Sequence, residues 1–257
     1  MKFSRIYPKE YIIDDNNASD YAPVDGGRER PEGAKFTFSA QKVLSKRKKY
    51  PRSEWKERCL DREKRGRTLS QIVRKKRIPT SNQDGLNYCW TYGVVTAVNC
   101  KRAWRNMPYV EFSRESVAAP AVNYRNVGNW GNTALDRMIE VGIQRQSTWP
   151  RYYYRDNKYL DLVEAGQFKV LEFEILPDND FDALFSALLD DEAVGVGYDW
   201  WSHEVCAIDP VVIGSNSFGV RIWNSWGDDY GDNGMAILSE GKATPQDAVI
   251  PITFMSE

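Results

Sequence analysis

The stretch IWNSWGDDYGDNGMAIL (residues 222–238) places Asn224 at the end of a strand-like run and between two tryptophans. Asparagine is depleted in strands and more often occupies turns, so this position is unusual for it. A side-chain amide at a strand end can hold an imidazole ring in one orientation. Trp226, two residues later, is near enough to shield such a hydrogen bond from water. We therefore expect Asn224 to orient a histidine.

The chain contains a single histidine, His203, at the start of another strand-like run. An imidazole beside a cysteine is a common way to generate a thiolate nucleophile. In NQDGLNYCW (residues 82–90), Cys89 stands where an apolar helical pattern begins. A helix N-terminus stabilises negative charge and offers a backbone N–H to an oxyanion. Gln83, six residues before Cys89, adds a side-chain N–H donor.

The order of the predicted elements indicates an α+β protein. Helical patterns begin at Cys89, after Ser113, at Asn132 and within residues 178–191. The strand-like runs come later in the chain, and they are FKVLEFEIL, AVGVGYDWW, EVCAI, FGVRIWNSW, GMAILSE and AVIPITFM. Helices that lead and strands that follow favour two packed subdomains over a doubly wound sheet. A cleft between such halves is a favoured place for a binding site.

The composition, with 42% hydrophobic and 13% aromatic residues, is typical of a soluble globular protein. No run approaches the roughly 18 apolar residues of a membrane-spanning helix, and the N-terminus turns acidic before any apolar core of a secretory signal develops. The four cysteines, Cys59, Cys89, Cys100 and Cys206, are irregularly spaced. They predict no disulfide framework, and they favour a reducing, cytoplasmic compartment. One histidine and scattered cysteines do not form the usual metal-ligand clusters, so we expect no metal and no cofactor.

The net charge of −1 conceals a strongly basic segment at residues 41–77. This segment holds 16 Lys or Arg against 4 Asp or Glu, so it carries +12 beside a remainder of −13. It is open to three interpretations: a solvated charged helix or linker, a surface for an anionic partner, or a clamp onto the chain's own acidic body. Nucleic-acid binding is disfavoured but stays open, because only Tyr50 and Trp55 are interleaved as stacking platforms.

From Ile78 to the C-terminus, five ordered pieces of the sequence resemble a papain-family cysteine peptidase. They are NQDGLNYCW (82–90), EFSRES (111–116), GNWGNTALDRMIEVGI (128–143), HEVCAI (203–208) and IWNSWGDDYGDNGMAIL (222–238). Each piece alone has an ordinary structural explanation, since a Cys–Trp pair before a helix is usually core and a lone histidine is usually a partly exposed polar residue. Their common order carries the resemblance.

The resemblance implies a papain-like two-subdomain fold over residues 78–257. Its helical left subdomain would cover about 78–165, and its β-barrel-like right subdomain about 166–257. It also implies peptide-bond hydrolysis in a peptide or protein substrate.

In that chemistry the resemblance makes Cys89 the nucleophile, His203 the base and Asn224 its orienting group. Gln83 becomes a donor of the oxyanion hole, while Trp90 and Trp226 support the site.

The substrate side of the site departs from the family pattern. The place of the family's Gly–Gly substrate loop is taken by Gly128 and Asn129, or the pair is displaced toward Gly131. Glu204 stands where the family has a small apolar residue near the second specificity pocket. There a carboxylate favours a basic substrate side chain, and the alternative is a solvent-facing or salt-bridged glutamate.

Of the two spacings measured from Cys89, the nucleophile that the resemblance implies, one agrees with the family and one is shorter. Asn224 follows Cys89 by 135 residues, within the expected range of roughly 130–150. His203 follows by only 114, which indicates a shortened right subdomain.

Residues 1–77 form an N-terminal segment with a polar, irregular part at 1–35 and a basic, partly helical part after it. The pattern of spaced Glu, Arg, Phe and Asn in the family's inhibitory propeptide is not convincing in residues 36–76. An alternative therefore stays open: a structural or accessory component of a viral or phage-type assembly, virion-associated, with residues 1–77 as the docking arm for a protein partner. Action on a non-protein amide is a further, weaker alternative.

Overall fold

The computed structural model describes residues 11–21, 42–149 and 168–254. The strands are β1 (Ile12–Ile13), β2 (Lys42–Leu44), β3 (Val170–Ile175), β4 (Val194–Tyr198), β5 (His203–Val212), β6 (Phe218–Trp223), β7 (Met235–Ser239) and β8 (Asp247–Phe254). The helices are α1 (Ala18–Tyr21), α2 (Arg52–Lys64), α3 (Leu69–Lys75), α4 (Cys89–Trp104), α5 (Glu115–Ala121), α6 (Gly131–Glu140), α7 (Phe181–Leu189) and α8 (Glu240–Ala243). The α+β prediction is confirmed. Of the irregular segment expected at 1–35 only 11–21 is described, and the expected boundary near 165 lies outside the described residues.

The described strands form one eight-stranded sheet in the order β1-β7-β6-β5-β4-β8-β3-β2. Its central strands pair antiparallel, whereas the two edge strands pair parallel, β1 with β7 and β2 with β3. Both edge strands come from the N-terminal segment. They are only two and three residues long, so on each side the sheet ends in a short edge strand that covers a longer one.

Helix α4 is the central helix of the molecule, buried on nearly every side. One flank packs with α5 and α6 in the core of the helical half, and the other packs against α3 and strands β5 and β6. Gly93 permits the close approach to the sheet, because a Cβ there would lie 2.9 Å from the carbonyl oxygen of Val205. The start of α4 is thereby fixed against β5.

The N-terminal segment packs onto the sheet through apolar anchors as well as strands. Trp55 of α2 is fully buried, stacks on Phe185 with ring centroids 4.0 Å apart, and meets Phe218 edge-on. Helix α3 begins with a capping box between Thr68 and Gln71 and buries its apolar residues against α4 and β5.

Basic side chains of the same segment pair with acidic residues of the remaining chain. Arg47 contacts Glu174 at 2.7 Å and Glu192 at 2.9 Å. Further pairs are Lys49–Asp180, Arg52–Asp182, Arg52–Glu240, Arg62–Asp191 and Arg74–Asp232. These contacts correspond to the clamp among the three interpretations of the basic segment. Among the described helices, none combines the length and apolar character needed to cross a membrane.

Candidate active site

His203 and Asn224 meet across neighbouring strands. His203 is the first residue of β5, and Asn224 directly follows β6, its antiparallel neighbour. The distance from His203 Nε2 to Asn224 Oδ1 is 2.7 Å, and the residues are only 5% and 2% exposed. An amide oxygen can only accept, so Nε2 carries the hydrogen and Nδ1 of the neutral ring is the acceptor. The imidazole is thus held in the tautomer that can take a proton from a thiol.

Two tryptophans enclose the imidazole. The Trp226 ring stacks on His203 with centroids 4.8 Å apart, and Trp201 meets it edge-on at 5.1 Å. A hydrogen bond in such a water-poor surrounding is stronger than one in water. The Trp201 indole N–H in turn donates to the Tyr21 carbonyl at 2.7 Å, which ties the N-terminal segment to this wall. Sequence reasoning identified Trp226 and missed Trp201, although a tryptophan pair just before the only histidine was a usable signal.

Cys89 carries a half-buried thiol that is in no disulfide, and it is the first residue of the 16-residue helix α4. There the helix dipole favours a thiolate. On α4, Cys89 lies one helical turn before Gly93. On β5, His203 lies two residues before Val205, the residue that Gly93 approaches. Further along, Cys100 of α4 lies beside Cys206 of β5, so the helix and the strand run in the same direction. Cys89 and His203 therefore lie at the same end of one helix–strand contact.

Gln83 is buried and fixed to the chain that follows Asn224. Its backbone N–H donates to the Ser225 carbonyl at 2.8 Å, and the Ser225 hydroxyl donates to Gln83 Oε1 at 2.6 Å. The Gln83 amide nitrogen donates one hydrogen to the Leu86 carbonyl at 2.7 Å. An amide nitrogen carries two hydrogens, so this bond uses one of the two. Ser225 was missed from sequence, although it follows Asn224 directly.

Trp90, Gly128 and Asn129 lie on the helical side. Trp90 is fully buried, and its indole N–H donates to the Val127 carbonyl at 3.4 Å, in the loop before α6. Gly128 is buried in that loop. The Asn129 side-chain oxygen accepts from the Trp130 backbone N–H at 2.9 Å and is thus engaged at the start of α6.

Glu204 follows His203 and is buried, not solvent-facing, with 2% of its surface exposed. Successive strand residues point to opposite faces, so Glu204 points away from the imidazole and toward the helical half. Its carboxylate lies against Gly131, the first residue of α6, where a Cβ would be 2.2 Å from Oε1.

In sequence, no family model and no curated protein matches the chain. Its fold, however, is similar to solved cysteine proteases. The proform of Amb a 11, a major ragweed pollen allergen, matches with a TM-score of 0.61 and 19% identity over 72% of this chain and 66% of that one. Procathepsin L 3 of the Tenebrio molitor larval midgut matches with a TM-score of 0.58 and 16% identity, over 68% and 66% of the two chains.

A Carica candamarcensis cysteine protease solved in complex with E-64 matches with a TM-score of 0.58 and 19% identity. The match covers 71% of this chain and 97% of that one. The chain thus spans slightly under two thirds of the proforms but nearly all of this shorter relative. At such identities the likeness establishes the fold, and the predicted papain-like α+β fold is confirmed.

Proposed function

We propose that this chain is a papain-like cysteine peptidase that hydrolyses peptide bonds with Cys89 as nucleophile and His203 as base. The observation that carries the proposal is the buried hydrogen bond from His203 Nε2 to Asn224 Oδ1 at 2.7 Å. It leaves Nδ1 as the proton acceptor at the end of β5 that lies beside the start of α4. The papain-like fold supports the same function.

The geometry supports acyl transfer in two steps. Nδ1 of His203 takes the thiol proton, and the Cys89 thiolate attacks the peptide carbonyl carbon. The backbone N–H of Cys89 and the amide of Gln83 stabilise the resulting oxyanion. His203 then gives its proton to the leaving amine, and a thioester remains. Water, deprotonated by the same imidazole, attacks the thioester, releases the carboxylic acid and returns the thiol.

An accessory role in a larger assembly is the alternative, with residues 1–77 as docking arm. The described parts of that segment place both of their strands and the buried side chain of Trp55 on the chain's own sheet. We therefore rank the peptidase first.

The test is labelling of the full chain with an epoxide-type peptide inhibitor near pH 6, mapped by mass spectrometry, together with cleavage of a fluorogenic peptide library. We expect selective modification of Cys89, lost in His203→Ala. Cys89→Ala should lower kcat by on the order of 10⁴-fold or more, as removal of a nucleophile does in other hydrolases.

Cys59→Ala is the matched control and should cleave as the parent does. Burial raises the pKa of the Cys59 thiol to about 12, so this cysteine stays protonated and unreactive at neutral pH. Undiminished cleavage by Cys89→Ala would contradict the proposal. A full chain that neither labels nor cleaves would favour the accessory role.

A further inference from the structure

The side-chain amide of Asn224 is fixed from its oxygen end. Asn224 Oδ1 accepts from His203 Nε2 at 2.7 Å and from the Ser225 backbone N–H at 2.8 Å. These two bonds occupy both lone pairs of the oxygen. A backbone N–H can only donate, so the Ser225 bond also establishes which end of the amide is the oxygen. The amide nitrogen, Nδ2, therefore points away from the imidazole.

The loop that follows β6 places Tyr230 beside Asn224. The Asn224 backbone N–H donates to the Gly234 carbonyl at 2.8 Å, and the Gly234 N–H donates to the Tyr230 carbonyl at 2.7 Å. The Tyr230 ring meets Trp226 edge-on, with centroids 5.3 Å apart, and Trp226 stacks on His203. Tyr230 thus belongs to the aromatic wall around the imidazole.

The Tyr230 hydroxyl and the Asn224 amide nitrogen are complementary. Both atoms are buried, and among the described residues neither has a hydrogen-bond partner of standard geometry. Burial raises the pKa of Tyr230, and the Asn224 amide opposes this rise, as a donor beside a phenol oxygen does. A buried donor and a buried acceptor that stay unpaired are costly, so bonding between the two is favoured.

We propose that Tyr230 is a positioning residue of the candidate active site. Its hydroxyl accepts a hydrogen bond from Asn224 Nδ2 and so holds the amide with Oδ1 toward His203. The amide is then fixed at both ends, by the Ser225 N–H on the oxygen and by the phenol on the nitrogen. The effect on the reaction rests on the proposed function, whereas the effect on the imidazole does not. Sequence reasoning missed Tyr230, because its place beside Asn224 depends on how the loop folds back.

The first measurement uses the fact that the chain has a single histidine. In full-length Cys89→Ala with isotope-labelled histidine, nuclear magnetic resonance at about pH 8 reports the neutral ring alone, free of any thiolate. We expect the proton on Nε2, exchanging slowly with water. Tyr230→Phe removes only the hydroxyl and should speed that exchange by on the order of tenfold, because the His203–Asn224 bond then opens more often.

The second measurement is kinetic and keeps Cys89 intact. Tyr230→Phe should lower kcat by about 3- to 10-fold and leave KM unchanged, the size expected for one buried hydrogen bond. Added to Asn224→Ala, it should lower kcat no further, since the hydroxyl acts through the amide. Tyr50→Phe is the matched control and should leave both readouts unchanged. It removes a hydroxyl that donates to Asp190 at 2.6 Å at an exposed position.

Circular dichroism and thermal melting establish that each variant is folded. If Tyr230→Phe does not fold, Tyr230→Trp replaces it, because an indole keeps an aromatic ring but has no acceptor for the amide. A proton on Nδ1 of the Cys89→Ala ring, or equal exchange rates with and without the hydroxyl, would overturn the positioning role, whether or not the parent cleaves. So would a kcat loss that persists in full in the Asn224→Ala background.

A further outcome separates this role from the peptidase function. Faster exchange in Tyr230→Phe, in a protein whose parent neither cleaves peptides nor labels at Cys89, would leave the positioning role in place and refute the peptidase function instead.

Discussion

The N-terminal segment and the candidate active site both carry polar side chains, but they place them in opposite surroundings. In the segment, Arg52 is about half exposed and pairs with Asp182 and Glu240 at the surface. In the candidate active site, His203 and Asn224 are almost fully buried and hydrogen-bonded to each other.

The difference separates groups that hold the fold from groups that serve a site. An exposed ion pair contributes only about 0–1 kcal/mol, so the segment depends on a few apolar anchors, Trp55 first among them. A buried polar group has to be hydrogen-bonded to offset the cost of its desolvation and adds little net stability. Changes in the segment should therefore alter stability, and changes in the candidate active site should alter chemistry.

Trp55→Ala should give the largest effect. Trp55 is fully buried and stacked on Phe185, so its removal should lower the free energy of unfolding by about 3–5 kcal/mol. Urea denaturation measures this loss. Activity per titrated active site should remain that of the parent, since the Trp55 ring packs on Phe181, Phe185 and Phe218 and not on a proposed catalytic residue. Leu60→Ala, at a position 37% exposed on the same helix, should stay within about 0.5 kcal/mol. A fall in kcat for the folded Trp55→Ala protein would show that the two regions are coupled.

Asn224→Ala should have the converse effect and lower kcat rather than stability. Without the amide oxygen the His203 ring loses its fixed tautomer and orientation. A buried hydrogen bond of this kind corresponds to a 10- to 100-fold lower kcat, by order of magnitude, with KM little changed. Steady-state kinetics on the fluorogenic peptides measure it. Asn216→Ala, in the exposed turn between β5 and β6, is the control. An unchanged kcat would mean that the His–Asn hydrogen bond serves only the fold.

Asp232→Asn should give the smallest effect, and one that depends on pH. Burial alone would raise the pKa of Asp232, but the hydrogen bond and charge of Arg74 outweigh it and hold the pKa below its usual value. A lowered pKa in the folded state stabilises the protein above the unfolded pKa of about 3.9, and this stability is lost as the pH falls through the folded value. Because Arg74 is 43% and Asp232 34% exposed, solvent screens the pair, and we expect it to contribute at most about 1 kcal/mol.

Urea midpoints at pH 7 and pH 3 measure this effect. Asp232→Asn should unfold earlier than the parent at pH 7, and the gap should narrow at pH 3. Asp229→Asn, an exposed carboxylate of the same loop, should match the parent at both values. A gap of equal size at both pH values would rule out the ion pair as its origin.

The sequence determined the elements that local patterns encode. The helix expected at Cys89 begins there, and the one expected at Asn132 begins one residue earlier, because apolar spacing and chain breaks are local properties. The candidate residues Cys89, His203, Asn224 and Gln83 could also be named, since each stands in a chemically distinctive setting. The placement of the N-terminal segment was left among three interpretations, because charge composition does not specify a partner.

Only the tertiary structure decided which distant residues meet. Strands β1 and β2 are too short to show a periodicity, and their parallel pairing at opposite edges depends on the rest of the sheet. The contacts of Trp201 and Ser225 around the site likewise follow from strand register. Register is set by the packing of whole faces against helices, and a shift of one residue would turn each of these side chains to the other side.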